Sequence, residues 1–177
     1  MTHETYDLSI RLLGSSDIVY LVEAFQKADW PKPTILFETY HQEQLNGDRL
    51  VWVAFVDKQI AGYVTLVWDS KYKPFFTDQT PEIMDLNVLP LFRKIGIGTK
   101  LLETAEKEAF TKHNQIGIGV GLYGGSDGGY GTAQRLYIKR GYSPDGKGVT
   151  YNYQPVTPGK NYPVDDSLCL WFTKELK

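Results

Sequence analysis

The sequence predicts an α/β fold of the α+β kind, a mixed central sheet of about seven strands flanked by about four helices. Three observations lead there. Segments of strand period and of helical period follow one another in the order strand, two helices, three strands, helix, strand, helix, two strands. Two apolar strands are separated by Asp57-Lys58-Gln59 alone, which makes them an antiparallel hairpin. Finally, Asp85–Phe110, DLNVLPLFRKIGIGTKLLETAEKEAF, reads as a strand end, a turn and a long amphipathic helix.

Taken in order, Tyr6, Leu8, Ile10 and Leu12 alternate with polar residues, giving a half-buried first strand. Ser15 or Ser16 caps a helix over Asp17–Ala28, whose apolar positions Ile18, Leu21, Val22 and Phe25 keep the helical period until Trp30-Pro31-Lys32-Pro33 breaks it. A second helix covers Thr34–Leu45 and ends at Asn46-Gly47-Asp48. Leu50–Val56 and Ile60–Trp68 form the hairpin. The loop Asp69–Thr80 is long and carries Tyr72, Phe75 and Phe76, so it either contributes to a binding site or packs on the surface.

Ile83–Leu89 is the next strand, interrupted by Pro90, and Ile97, Leu101, Leu102, Ala105, Ala109 and Phe110 form the buried stripe of the helix beyond the turn. In the strand Ile116–Tyr123, Gly117, Gly119 and Gly121 leave one face bare, which suits close approach by another backbone or by an elongated ligand. The flexible loop Gly124–Gly129 leads to a helix over Gly131–Lys139 that Gly141 ends. Val149, Tyr151 and Tyr153 alternate, a proline-rich loop spans Pro155–Pro163, and Leu168–Phe172 is the last strand. GYSPDGK, Gly141–Lys147, comes near a P-loop, but Gly148 replaces the required hydroxyl residue and the order helix-then-strand is reversed.

A chain of 177 residues favours one domain, 1–177, with a core large enough to need no disulfide. A net charge of -2 gives no general reason to expect nucleic acid or an anionic membrane as partner. Cys169 is the only cysteine, no apolar leader stands at the N-terminus, and no run approaches the ~20 apolar residues of a membrane helix, so a cytoplasmic location is the expectation. His3, His41 and His113 lack metal-ligand spacing, and no metal is expected.

The turn Arg93-Lys94-Ile95-Gly96-Ile97-Gly98-Thr99 concentrates the chemistry. Free amides at a helix start, the positive end of the helix dipole and two adjacent cations suit a phosphate, and glycine lets it approach the backbone. With the preceding L-x-V-x-P, this R-x-x-G-x-G stretch resembles the acyl-CoA pyrophosphate loop of the GNAT family of N-acetyltransferases. A second match is AQRLYIKRGY, Ala133–Tyr142, which resembles the family's A-x-x-L-Y-x-K-x-G-[FY] helix after the fifth strand. The resemblance covers nearly the whole chain. It implies central strands that splay apart around the pantetheine arm of acetyl-CoA, with the glycine face beside it. Asn87, Val88 and Arg93, Lys94, Ile95, Gly96, Ile97, Gly98, Thr99 are the implied cofactor-binding residues.

The implied activity is acetyl transfer from acetyl-CoA to a primary amine by direct attack in a ternary complex. A free amine is mostly protonated at neutral pH, which costs about 4 to 5 kcal/mol for a lysine-like group, so a base or a water relay is needed. The candidates are Glu82, which stands where histone-type members carry theirs, and Asp85; strict alternation puts them on opposite faces. The resemblance also implies backbone donors near Asn87–Leu89 for the oxyanion and makes Tyr137 the acid for the leaving thiolate. Alternatively, Tyr137 is a core tyrosine and the two acids are solvated. Where many members carry a CoA-contacting Asn, this chain has Tyr130. That departure keeps open a non-catalytic acyl-CoA-binding or regulatory module, and the glycine loops keep open a nucleotide-binding protein. The acceptor is a small-molecule or protein amine, and homodimers, common in the family, are carried as an expectation.

Overall fold

The computed structural model describes residues 6–125 and 129–177. His3 and part of the expected Gly124–Gly129 loop lie outside them. The strands follow the order β1-β2-β3-β4-β5-β8-β6-β7 in one mixed sheet, the parallel pair being β4 and β5. Among the described residues no helix is long and apolar enough to cross a membrane.

The chain divides into two units, the first comprising residues up to Val67 together with Met84–Lys107. It holds β1 (Leu8–Leu12), α1 (Asp17–Lys27), α2 (Thr34–Asn46), β2 (Arg49–Val56) and β3 (Gln59–Val67). It also holds most of β4 (Glu82–Val88) and of α4 (Ile97–Phe110). Leu21, Phe25, Phe37, Val51, Val53 and Tyr63 form its core. The hairpin is tighter than the sequence suggests: Val56 pairs with Gln59 across a two-residue turn, Asp57 and Lys58 having φ of 48° and 66°. Two left-handed residues give the twist of a type I′ turn, which matches the twist of the strands. Neither serine caps α1, since Ser16 makes no side-chain cap bond. Asp17, the first residue of the helix, instead holds the chain that leads into it, accepting the Gly14 amide at 2.8 Å and the Arg11 guanidinium at 2.6 and 2.7 Å.

The second unit comprises Trp68–Ile83 and Glu108–Lys177. It contains α3 (Lys73–Thr77), β5 (Gln115–Gly121), α5 (Gly131–Lys139), β6 (Ser143–Tyr151), β7 (Gln154–Pro155) and β8 (Leu168–Glu175). The aromatic loop is therefore partly helical, with Pro74 in the first turn, where its missing N–H costs nothing. Tyr72 and Phe75 are buried and Phe76 is exposed, so the loop packs inward through two of its rings. The P-loop-like segment runs into β6 from Ser143 onward, where the register with β8 shifts between Pro144 and Val149 and Gly146 and Gly148 are left-handed.

The bare face of β5 is filled by the chain's own rings. A Cβ at Gly117 would stand 2.1 Å from Phe75, one at Gly119 2.8 Å from Trp171, and one at Gly121 2.3 Å from Tyr130. Trp171 stacks on Tyr72 at 4.1 Å between centroids, with Phe75 edge-on to both. These glycines make room for aromatic packing, which corrects the expectation that the face lies open to a ligand.

Candidate active site

In the first unit, β4 departs from regular geometry at Asp85, whose φ is 45°. A left-handed residue inside a strand is the mark of a bulge, and it ends the simple alternation from which opposite faces were expected. The Asp85 carboxylate accepts a hydrogen bond from the Tyr40 hydroxyl of α2. Burial, then the Asp85 charge, pushes the Tyr40 phenol up. Close by, Gly62 of β3 makes room for β4, since a Cβ there would sit 2.2 Å from the Asn87 carbonyl oxygen. Asn87 is buried and Val88 half-buried. The Leu89 amide already donates to the Ala61 carbonyl at 2.9 Å, which removes it from the expected oxyanion donors.

Beyond β4, Pro90–Phe92 makes one 3-10 turn and α4 begins at Ile97. Lys94 and Gly96 between them have φ of 66° and 91°. Arg93, Lys94, Ile95 and Gly96 are exposed, Gly98 and Thr99 are half-buried, and Ile97 is a buried anchor. Arg93 donates from Nε to the Val88 carbonyl at 3.0 Å, and its guanidinium carbon lies 5.7 Å from the Trp30 ring centroid. A Cβ at Gly96 would meet nothing within 4 Å. Open space over left-handed backbone, two exposed cations and the N-terminal end of a 14-residue helix are features that suit a phosphate group.

In the second unit, Glu82 is 3% exposed, lies opposite Gly117 in the parallel ladder, and accepts the Ser70 hydroxyl at 2.5 Å. Cys169 of β8 is held at about 11 as a thiol, first by burial and then by the charges of Glu82, Asp166 and Asp165. Tyr137 on α5 is buried, which pushes its phenol up and keeps the proton on it. Tyr130 donates to Asp166 Oδ1 at 2.9 Å, and Tyr123 donates to the same oxygen at 2.6 Å. The side chain that replaces the family Asn thus ties down the segment before β8.

The predicted residues therefore divide: Asp85, Asn87, Val88 and Arg93–Thr99 belong to the first unit, Glu82 and Tyr137 to the second. Sequence reasoning missed Tyr40, Arg49, Thr65 and Ser70, which hold the β4 acids and their backbone. Its one available signal was polarity within apolar segments, as with the fully buried Thr65 between Val64 and Leu66 of β3.

The structure is similar to that of yncA, described as an acetyltransferase of Salmonella typhimurium with its cofactor acetyl-CoA. Identity is 20%, 96% of this chain and 94% of that one are covered, and the TM-score is 0.65. Ribosomal-protein-S18-alanine N-acetyltransferase of Escherichia coli matches at 17% identity over 96% and 94% of the two chains, TM-score 0.65. Spermidine N-acetyltransferase of Vibrio cholerae, whose structure holds CoA and spermine, matches at 15% over 96% and 95%, TM-score 0.66. Identities this low establish the fold alone, and no curated protein sequence matches. Family membership comes from the sequence profile of the acetyltransferase (GNAT) family, which aligns with residues 18–142 and so takes in both the turn before α4 and the tyrosine helix α5. On that match the chain belongs to the GNAT family and is an acetyltransferase whose acetyl donor is acetyl-CoA.

Proposed function

We propose that the chain acts as a single domain that acetylates a primary amine by direct attack in a ternary complex, with Asp85 as proton acceptor and Tyr137 as proton donor. The observation that carries the proposal is the half-buried Asp85 carboxylate, held by Tyr40 on the bulged strand that leads into the phosphate-binding turn. Glu82 fits the role less well because its carboxylate is already bonded to the Ser70 hydroxyl.

Acetyl-CoA supplies the activated acetyl group. Arg93, Lys94 and the amides of Ile97–Thr99 hold its pyrophosphate. Asp85 takes one proton from the ammonium of the acceptor and passes it to solvent, leaving a nucleophilic amine. The amine nitrogen forms the new bond to the acetyl carbon, the carbon–sulfur bond breaks, and sulfur leaves with the electron pair. Tyr137 protonates that sulfur and regains a proton from the nitrogen through solvent, so the net change releases one proton. Because its phenol is raised, Tyr137 remains a donor above pH 10. A thiol at about 11 makes Cys169 a poor covalent relay, which favours direct transfer.

The acceptor is an amine of small-molecule or protein type. The similar enzymes named for spermidine and for a ribosomal-protein alanine motivate both kinds. The test combines thermal unfolding with acetyl-CoA, CoA, ATP and NAD and a thiol-release assay on spermidine, lysine amide and an alanine-initiated peptide. A stability shift with the two CoA species only, together with amine-dependent release, is expected. Absence of a CoA shift, checked by calorimetry, overturns the turn assignment, and no release with any of the amines overturns the acceptor assignment. Tyr137→Phe is expected to lower turnover roughly 100-fold while leaving the calorimetric affinity for acetyl-CoA within about twofold.

A further inference from the structure

We infer that Tyr40 is a positioning residue for Asp85 and that Arg49 fixes Tyr40, so that α2 and β2 aim the carboxylate on β4. This rests on the reading above that Asp85 is the proton acceptor. A base on a half-exposed strand position gains from an anchored carboxylate, because a freely turning one is misaligned much of the time.

The geometry supplies an anchor on each side of the bulge. On one side, the Tyr40 hydroxyl donates to Asp85 Oδ2, so a proton arriving from substrate goes to Oδ1. The ring of Tyr40 is itself fixed: it is 7% exposed, meets Phe37 edge-on, and has the Arg49 guanidinium 4.3 Å from its centroid. On the other side, Arg49 is buried and donates from Nε to Glu43 at 2.5 Å and from Nη1 to the Thr65 hydroxyl at 2.7 Å. The Thr65 hydroxyl then donates to the Met84 carbonyl at 3.2 Å, one residue before Asp85. Asp85, Tyr40, Arg49, Thr65 and Met84 thus close a ring of contacts around the left-handed residue, all within the first unit. A planar, always charged guanidinium can both lie on a ring and donate in its own plane; lysine cannot.

Tyr40→Phe keeps the ring and deletes the one hydroxyl. With the fastest of the three test amines as acceptor, kcat is expected to fall about 10-fold, with the calorimetric Kd for acetyl-CoA unchanged within about twofold. In an Asp85→Asn background the same change is expected to cost less than about twofold, because Tyr40 acts through that carboxylate. Arg49→Lys keeps the charge and loses the planar contact; a loss of about threefold is expected, again absent with Asp85→Asn, and it serves as the second variant should Tyr40→Phe fold poorly. Wild-type turnover in Tyr40→Phe, or an equal loss in both backgrounds, overturns the positioning role while Asp85 keeps its own. Wild-type turnover in Asp85→Asn instead removes Asp85 as the proton acceptor, and Tyr40 falls with it.

Discussion

Glycine recurs every second residue in two parts of this chain, and the two uses are physically opposite. In the turn before α4, Gly96 is left-handed and exposed, and a side chain added there would meet nothing within 4 Å. In β5, Gly117, Gly119 and Gly121 lie where added carbons would stand 2.1, 2.8 and 2.3 Å from aromatic rings. Gly96 leaves its backbone open, whereas the β5 glycines are closed over by the chain's own rings. Whether the glycines open a helix or sit inside a strand separates the two cases, because only a helix start carries unpaired amides and a positive dipole end.

The sharpest way to break this comparison is Gly117→Val. Its Cβ would overlap the Phe75 ring, a buried group with little room to move, so a loss of roughly 3 kcal/mol in stability is expected, read from the urea midpoint. Phe75→Ala in the same background is expected to couple with it, the double variant being less destabilised than the two single losses added together. Strict additivity would mean that Phe75 is not what fills the glycine face.

Gly98→Leu is expected to act on the other variable. Affinity for acetyl-CoA falls by about 100-fold or more, near 2.7 kcal/mol, in a calorimetric titration, while the unfolding temperature does not drop, since leucine is favoured over glycine by up to ~1 kcal/mol inside a helix. Tight CoA binding by this variant removes the phosphate-loop assignment.

The difference between the two regions also marks what the sequence could disclose. The strand, turn and helix around Pro90 were legible as structure because their cues are local: Pro90, the glycines and the stripe from Ile97 to Ala109 fall within one short stretch. The C-terminus of α5 was legible for the same reason, Gly141 being left-handed with the Tyr142 amide bonded back to the Tyr137 carbonyl. The glycine face of β5 was not, because its fillers arrive from α3, β8 and the start of α5. Nor was the hold on Asp85, whose partner Tyr40 is 45 residues away on a helix with weakly segregated apolar residues. The bulge itself is set by tertiary pairing, which local preference does not encode. The short helix after Tyr72 was missed through an overlooked cue, since Pro74 suits a first helical turn.

The smallest expected effect sharpens the comparison furthest, because it moves stability and binding in opposite directions. Lys94 is left-handed at φ 66°, a conformation that costs a residue with a Cβ about 1 kcal/mol or slightly more and costs glycine almost nothing. Lys94→Gly relieves that cost but admits a more flexible unfolded chain, so the net gain in stability is roughly 0.5 kcal/mol. The same change deletes one exposed cation beside the amides proposed to bind phosphate, so acetyl-CoA is expected to bind about threefold more weakly, near 0.6 kcal/mol, and the difference shrinks as salt is raised because an exposed charge is screened. Higher stability with weaker, salt-sensitive binding identifies Lys94 as a residue kept in a strained conformation for its charge. Unchanged binding at low salt assigns the anion site to the backbone amides and Arg93 without it.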